Sequence, residues 1–295
     1  MTVGFRNYTK EAGFTVDFHN VRDFLIRINS EEVITPGFLW GRWEWAFSLP
    51  YLDTDKLSKI GIWEDNGKIV ALATYELELG SAYFCVDKRY NFLKREMLIY
   101  AKENLAKSGE FKAIINDTDI EFQRIAASLG LKSTQEKEAN SVIEIVLDKM
   151  EYTLPHGYRI QSIADNFDLS KFNRILWRGF DHDGEPPKTE EQMLMRKHIL
   201  SGPHLNPKLN IVVISPDGQY ASYCGAWYDT ATSYALIEPV ATDPNYRMKG
   251  LGKAAVLESI KRCCLLGAKK AYVGSDQQFY YQIGFYPMPN DTWWI

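Results

Sequence analysis

The sequence predicts an α/β protein made of two domains of one architecture, each a mixed, largely antiparallel sheet flanked by helices. Its 295 residues leave room for two domains. Apolar residues make up 45% and charged residues 24%, the balance of a folded globular chain. The order of strand, turn and helix patterns in the first half recurs in the second half. We therefore expect domains at residues 1–149 and 150–295, joined near residues 150–157.

Each half begins with a short strand followed by a helix. Residues 17–29 in the first half and 168–180 in the second have apolar side chains at i, i+3 and i+4. This spacing places the apolar side chains on one face of a helix. The two segments therefore predict equivalent amphipathic helices.

A β-hairpin follows the helix in each half. Asp/Asn-Gly steps supply the positive-φ residues that a tight hairpin turn requires. In the first half residues 60–63 and 69–72 flank Asp65-Asn66-Gly67-Lys68, and in the second half residues 211–214 and 220–223 flank Pro216-Asp217-Gly218-Gln219.

Each half then has a tyrosine-containing turn, a helix, a strand, and a closing helix that ends in a Gly-apolar pair. Tyr90 in the first half corresponds to Tyr246 in the second half. The chain from Tyr90 to the closing Gly130 is 40 residues long, and that from Tyr246 to Gly284 is 38 residues long. This agreement supports an internal duplication with insertions in the loops.

The composition excludes several classes of protein. The net charge is −4, so there is no basic field to attract nucleic acid. No apolar stretch reaches the length of about 18 residues that a membrane span needs, and the first residues lack the apolar core of an export signal. The four cysteines form no C-x-x-C pair, and the five histidines lack metal-ligand spacing. We expect a cytoplasmic protein with no metal, no membrane contact and no nucleic-acid partner, and the sequence indicates no particular oligomeric state.

One segment of the second half has the features of an anion-binding site. A strand over residues 234–242 leads through a turn into Arg247-Met248-Lys249-Gly250-Leu251-Gly252-Lys253 and then into a helix. Glycines at a helix start leave the backbone N–H groups unobstructed, and the helix dipole favours an anion there. Three basic side chains flank the glycines, so the segment predicts a phosphate site rather than a plain strand-to-helix turn.

Two common phosphate motifs do not fit this segment. The P-loop requires Ser or Thr where Ala254 stands and a glycine where Arg247 stands. The dinucleotide motif requires its first glycine directly after the strand, but seven residues, 243–249, intervene here. Only 19 residues follow Asp276, too few for the remaining strands of that fold.

The remaining pattern resembles the GNAT superfamily of acyl-CoA-dependent N-acetyltransferases. Arg247-x-x-Gly250-x-Gly252 is similar to the pyrophosphate loop of that family. Phe279-Tyr280-x-x-x-Gly284-Phe285, some 30 residues later, is similar to its closing helix and strand. The resemblance covers residues 157–295, and the first half matches only as a diverged repeat.

The resemblance implies acetyl-CoA as the acyl donor, bound where strand 234–242 diverges from strand 271–275. An N–H near Val240 would then polarise the thioester carbonyl, and Tyr280 would protonate the departing thiolate as general acid. The residues implied in binding the donor are Val240, Ala241, Thr242, Arg247, Met248, Lys249, Gly250, Leu251, Gly252 and Lys253. Tyr280 can alternatively be a core aromatic residue beside Phe279.

Glu238 is the candidate general base. It precedes Val240 by two residues on the same strand, so both side chains face the same side. A carboxylate there is suited to deprotonating an ammonium group, although a glutamate at a strand edge can also have no role. Pro239 removes a ladder donor, which fits a strand that leaves regular pairing.

Two further groups of residues are open to more than one interpretation. The loop with Asp181, His182, Asp183 and Glu185 is either an acceptor wall that favours cationic amines or a solvated acidic loop. Trp40, Trp43 and Phe47 lie on one helical face, which predicts core or interdomain packing, with an acceptor pocket as the alternative.

The first half departs from the phosphate-loop motif. Asn91, Lys94 and Glu96 stand where the second half has Arg247, Gly250 and Gly252. The first domain is therefore expected not to bind coenzyme A.

The resulting functional prediction is an N-acetyltransferase that uses acetyl-CoA and acts on a primary amine of a small molecule or peptide. The alternative is a non-catalytic acyl-CoA-binding sensor that keeps the fold without the chemistry. Aminoacyl transfer from tRNA is disfavoured by the acidic charge balance.

Overall fold

The structure, a computed structural model, describes residues 3–295 and consists of two units. The first unit contains the chain as far as Asn140 together with Gly274–Asp276 and Pro287–Ile295. The second unit contains Ser141–Val273 and Gln277–Tyr286. Relative to the sequence-based division at 149/150, residues 141–149 lie in the second unit and the last nine residues lie in the first.

The first unit is a sheet with helices, and most of its elements precede residue 140. Its strands before that point are β1 (Gly4–Asn7), β2 (Gly61–Asp65), β3 (Lys68–Thr74), β4 (Ser81–Val86), β5 (Lys112–Asn116) and β6 (Ser133–Glu138). Its helices are α1 (Val16–Ile28), α2 (Trp40–Phe47), α3 (Lys94–Asn104) and α4 (Ile120–Ser128). Strands β1 to β4 pair antiparallel in sequence order, and β4 and β5 pair in parallel.

The second unit repeats this arrangement. Its strands are β7 (Ser141–Glu144), β8 (Arg159–Ser162), β9 (Ile211–Ile214), β10 (Tyr220–Tyr228), β11 (Tyr234–Thr242), β12 (Lys270–Val273) and β13 (Tyr286–Pro287). Its helices are α5 (Leu169–Gly179), α6 (Glu190–His198), α7 (Leu251–Leu265) and α8 (Gln278–Gln282). Strands β8 to β11 pair antiparallel in order, and β11 and β12 pair in parallel.

The two sheets exchange one strand each. Strand β7 directly follows the first unit in the chain, yet it pairs antiparallel with β12 in the second sheet. The last strand, β14 (Asp291–Trp294), follows the second unit but pairs with β5 and β6 in the first sheet. The strand orders are therefore β1-β2-β3-β4-β5-β14-β6 and β13-β7-β12-β11-β10-β9-β8.

The predicted fold class is confirmed: both units have a seven-stranded mixed sheet flanked by helices. The two amphipathic helices predicted from apolar spacing are α1 and α5. The first hairpin turns at Asn66 and Gly67, whose φ angles are 51° and 74°, which is the positive-φ pair of a type I′ turn. No helix within residues 3–295 is both long and apolar enough to cross a membrane.

The aromatic residues of α2 belong to the core of the first unit. Trp43 packs on Phe47 with ring centroids 4.4 Å apart and stacks on Phe18 of α1 at 6.0 Å. The Trp43 indole N–H donates to the Phe18 carbonyl at 3.2 Å. Trp40, Trp43 and Phe47 are all buried, so the structure favours core packing over an acceptor pocket.

Candidate active site

The candidate site of the second unit begins where β11 and β12 diverge. The parallel pairing runs only from Tyr234↔Lys270 to Leu236↔Tyr272. Beyond Leu236, β11 continues to Thr242 and β12 ends at Val273. On its other side β11 stays paired with β10 as far as Thr242. The last six residues of β11 therefore form one wall of an open, V-shaped gap in the sheet.

Backbone groups of β11 point into this gap. The Asp243 N–H donates to the Ala221 carbonyl of β10 at 3.1 Å. Because backbone groups alternate sides along a strand, the N–H groups of Val240 and Thr242 point away from β10. The Thr242 carbonyl also points away from β10, and it accepts a hydrogen bond from the Arg247 side chain at 3.2 Å. The Val240 N–H thus faces the gap between β11 and β12.

A bulge bends the β10–β11 pair at the edge of the gap. The register shifts between Cys224 and Ala226, opposite Glu238 and Pro239. Gly225 is required there, because a Cβ atom would lie 2.5 Å from the Glu238 carbonyl oxygen. The Trp227 indole N–H donates to that carbonyl at 3.2 Å. Bulges of this kind redirect side chains and are frequent beside active sites.

Helix α7 starts at the open end of β11 without a side-chain cap. Its N-cap is Gly250, which lies in the left-handed region with φ = 76° and has no side chain that could cap the helix. By contrast, Thr15, Asp168 and Thr189 cap α1, α5 and α6 through their side chains. The first N–H groups of a helix have no partner within the helix. The start of α7 is therefore a place where an anion can accept several hydrogen bonds.

Gly252 brings the helix start close to the end of β11. A Cβ atom on Gly252 would lie 3.0 Å from Thr242 Oγ1 and 3.3 Å from the ring of Phe279. A side chain at this position would therefore have to displace either the strand end or α8. The predicted residues Thr242, Gly252 and Phe279 thus come together from three separate segments of the chain.

Lysines line a cavity beside the start of α7. The cavity has a volume of about 970 Å³, and Lys249, Lys253 and Lys261 contribute to its wall. Residues 147, 148 and 150–153 also line it. Lys261 was not among the sequence-predicted residues, although it lies two turns beyond Lys253 on the same helix. Leu251, by contrast, has a buried side chain in the core, so only its backbone can reach a ligand.

Arg247 is held by an acidic loop in this structure. Its guanidinium contacts Asp181 Oδ1 at 2.7 Å and the Gly179 carbonyl at 3.3 Å. Both side chains of the ion pair are substantially exposed. Met248, the next residue, has φ = 61° and a fully exposed side chain. Arg247 therefore lies in the predicted phosphate loop, and it already has an anionic partner.

Asp243 anchors the turn between β11 and this loop. Its fully buried carboxylate contacts Arg174 at 2.7 Å and Arg178 at 2.8 Å, and it accepts from the Asn245 N–H at 2.9 Å. Burial opposes ionisation, but the hydrogen bonds from Arg178 and Asn245 and the charge of Arg174 lower the pKa of Asp243. The carboxylate is therefore charged at neutral pH and holds α5 against the loop.

Tyr280 lies on α8 with its ring in the apolar core. Its ring centroid is 4.9 Å from that of Phe279 and 5.5 Å from that of Phe285. Its hydroxyl makes no hydrogen bond with any residue from 3 to 295. Burial, followed by the nearby Cys224 thiol and the Glu238 carboxylate, raises the pKa of Tyr280. The phenol therefore keeps its proton at neutral pH.

The rest of the acidic loop has mostly structural contacts. Glu185 pairs with Arg174 at 3.0 Å. His182 stacks on Trp177 at 4.5 Å, and the Trp177 indole N–H donates to the Asp183 carbonyl at 3.0 Å. Two of the three acidic side chains considered for amine recognition, Asp181 and Glu185, thus already pair with arginines.

The corresponding region of the first unit has a different geometry. Residues Lys88–Leu93 form a 3₁₀ helix that runs directly into α3, with no left-handed glycine between them. Lys94 is buried and contacts Asp119 at 2.9 Å. Glu96 accepts from the Trp63 indole N–H at 2.7 Å. The start of α3 therefore offers no glycine-exposed amides. No cluster of metal-ligating side chains is found in the described part of the chain.

These features define the class of protein: two α/β domains of one fold in tandem, of which the second has a glycine N-cap at a helix start beside diverging strands. Residues 169–287 match the model of the acetyltransferase (GNAT) family. The second unit therefore contains a GNAT acetyltransferase domain. No curated protein matches the chain by sequence.

Solved structures share the fold along nearly the whole chain. A tandem GNAT protein from the clavulanic acid biosynthesis pathway has a TM-score of 0.64 at 13% identity, covering 99% of this chain and 98% of its own. A GCN5-related N-acetyltransferase from Sphaerobacter thermophilus has a TM-score of 0.55 at 13% identity, covering 99% and 94%. Saccharomyces cerevisiae N-myristoyltransferase, solved with myristoyl-CoA, has a TM-score of 0.54 at 14% identity, covering 99% and 79%. At these identities the similarity concerns the fold, which is that of tandem GNAT-like domains.

Proposed function

We propose that the chain is an acetyl-CoA-dependent N-acetyltransferase whose active site lies in the second unit, within the domain predicted at residues 150–295. The acceptor is a primary amine of a small molecule or peptide. The observation that carries the proposal is the uncapped start of α7 at Gly250, beside the gap between β11 and β12. An acyl-CoA needs both features, because it has a pyrophosphate at one end and an extended arm that can pair with a strand.

The residues present fit this ligand. The N–H groups at Leu251, Gly252 and Lys253 would receive the pyrophosphate, helped by the side chains of Lys249 and Lys253. Gly252 lets the helix start lie close to the end of β11, since any Cβ atom there would contact Thr242 and Phe279. Lys261 would face the remaining phosphate from the cavity wall. The backbone from Val240 to Thr242 would pair with the arm of the ligand.

Acetyl-CoA supplies an activated thioester, and three groups of this chain act on the transfer. Glu238 accepts a proton from the ammonium of the acceptor, so that the free amine can form the new C–N bond. The Val240 N–H stabilises the negative charge that develops on the carbonyl oxygen, an effect typically worth about 10²–10³ in rate. Tyr280 donates its proton to the sulfur as the C–S bond breaks, and the second proton that the nitrogen loses as the amide forms restores the phenol. The products are an amide and a free thiol.

Thiol release from acetyl-CoA in the presence of a panel of primary amines tests this function. We expect release that depends on the amine and saturates with it, together with formation of the matching N-acetyl product. The second candidate is a non-catalytic acyl-CoA sensor. The apolar surroundings of Tyr280 support it, because they also suit an aromatic residue with a purely structural role. Tight acetyl-CoA binding without thiol release for any amine would support the sensor.

A further inference from the structure

The first unit has its own gap between diverging strands. Strands β4 and β5 pair in parallel only at Ser81↔Lys112 and Ala82↔Ala113, although they continue to Val86 and Asn116. A cavity of about 520 Å³ lies in this region, within the usual range of about 300–1,000 Å³ for small-molecule sites. Its walls are about equally polar and apolar, and the apolar part includes Phe38, Phe84, Val86, Ile114 and Met288.

The charges that line this cavity do not suit a phosphate. Its two cationic side chains are already neutralised: Lys88 contacts Glu32 at 2.7 Å, and Lys94 contacts Asp119 at 2.9 Å. All four of these residues line the cavity. A diphosphate in this cavity would therefore face as many carboxylates as lysines. It would also find no backbone amides exposed by glycine.

Asp291 is the unusual group in the cavity wall. Its side chain is buried, with the residue only 8% exposed. Oδ1 accepts from the Asn116 amide at 2.8 Å, and Oδ2 accepts from the Asn140 amide at 2.7 Å. Within the part of the chain that the structure describes, no lysine, arginine or histidine nitrogen lies within 4 Å of this carboxylate. Each oxygen can accept one further hydrogen bond.

A buried carboxylate whose hydrogen-bond donors are all neutral has no positive charge in contact with it to balance its own charge. Burial raises the pKa of Asp291, and the two amide hydrogen bonds and the charge of Arg42 oppose this only in part, while Glu138 adds to it. A cation in direct contact is the partner that such a group lacks. Gly37 leaves room for the carboxylate, because a Cβ atom there would lie 2.3 Å from Oδ2. The site thus combines a buried anion with a partly apolar wall.

We propose that the cavity between β4 and β5 binds a small organic amine, with its ammonium group on Asp291 and its apolar part between Phe38, Phe84 and Met288. This site is separate from the acetyl-CoA site proposed for the second unit and does not depend on it. It gives the first unit a ligand of its own, of a chemical class opposite in charge to coenzyme A.

Calorimetry with the full-length protein tests the proposal, with phenethylamine as the probe. 2-Phenylethanol is the matched neutral compound, and phenylacetate is the matched anion. We expect the amine to bind at least about tenfold more tightly than the alcohol, because a charge-assisted hydrogen bond is stronger than a neutral one, and we expect no binding of the anion. Equal binding of amine and alcohol, or no binding of the amine at millimolar concentration, would overturn the proposal.

Two variants locate the site. Asp291→Asn keeps the size of the side chain and removes its charge, so it should weaken amine binding by about tenfold or more. Val86→Trp fills the cavity from β4 without altering Asp291 and should abolish binding. Circular dichroism and the thermal midpoint establish that each variant is folded, and if one is not, the other decides. A folded variant of either kind that binds the amine as the wild type does contradicts the assignment.

Discussion

Replacing Tyr280 by phenylalanine separates chemistry from packing in the second unit. The ring contacts with Phe279 and Phe285 survive the change, and the hydroxyl that is lost has no hydrogen-bond partner within residues 3–295. We therefore expect the free energy of unfolding to change by no more than about 0.5 kcal/mol. Turnover should fall by about tenfold or more, since a positioned general acid typically contributes about 10²–10⁴ in rate. Each factor of ten corresponds to about 1.4 kcal/mol of lost transition-state stabilisation.

Steady-state thiol release gives the turnover number, and calorimetry gives the affinity for acetyl-CoA. The affinity should be nearly unchanged, because the hydroxyl acts on the departing sulfur rather than on the bound ligand. Tyr281→Phe on the same helix is the matched control and should keep wild-type turnover. Because burial raises the pKa of Tyr280, wild-type activity should show no decline from its ionisation below the ordinary tyrosine value of about 10. Wild-type turnover in Tyr280→Phe would refute the assignment and leave Tyr280 as a packing residue.

Three further changes follow from the same geometry. Asp181→Asn frees Arg247 from its ion pair and should tighten acetyl-CoA binding by about 1.4- to 5-fold. This range corresponds to the free energy of an exposed ion pair, about 0.2–1 kcal/mol. Weaker binding of acetyl-CoA by calorimetry would contradict this prediction. Asp243→Asn removes the buried carboxylate that Arg174 and Arg178 share and leaves them Glu185 as an acidic partner, so it should lower the free energy of urea unfolding by about 1.5–3 kcal/mol at pH 7. Because the folded state lowers the pKa of Asp243, that contribution should persist above about pH 4 and disappear as the pH falls further, and a pH-independent difference would argue against it. A fragment of residues 150–295 lacks β7 and contains β14 without the sheet it pairs with, so it should aggregate in size-exclusion chromatography. A fragment of residues 141–286 should be more soluble. The reverse order of solubility would contradict the strand exchange.

Local chemistry made much of the fold predictable. The Asn66-Gly67 and Asp217-Gly218 steps indicated the hairpins because few residues other than Gly, Asn and Asp adopt positive φ readily. Apolar spacing predicted α1 and α5 because the buried face of a helix has a fixed period. Gly250 and Gly252 indicated the loop before α7 for a comparable reason. One has positive φ, and the other leaves no room for a side chain.

The strand exchange could not be predicted in this way. Strands β7 and β14 have only four residues each, and a segment of that length carries too little pattern to identify its neighbours in a sheet. Their partners are decided by tertiary pairing rather than by local preference. The division at 149/150 accordingly stays a prediction about where the two repeated halves of the sequence meet. The contacts within the structure assign residues 141–149 to the second unit.

Long-range charge pairing was equally hidden in the sequence. Asp181 and Arg247 are 66 residues apart, and Asp243 meets Arg174 across 69 residues. Burial raises the pKa of Asp291, and the amide hydrogen bonds that oppose this rise come from residues 151 and 175 positions away. Sequence spacing locates residues that share a helix face or a turn, but it does not reveal which distant side chains a fold brings together.

Titration of acetyl-CoA into the full-length chain tests the central claim, that the donor binds once and at the start of α7. Calorimetry should give one site per chain. Gly252→Glu should abolish binding, because the new side chain starts 3.0 Å from Thr242 Oγ1 and places a negative charge where the phosphates lie. Glu96→Gln, the matched change in the first unit, should leave binding unaltered. Two sites per chain, or wild-type affinity in Gly252→Glu, would contradict the assignment of the site to the second unit.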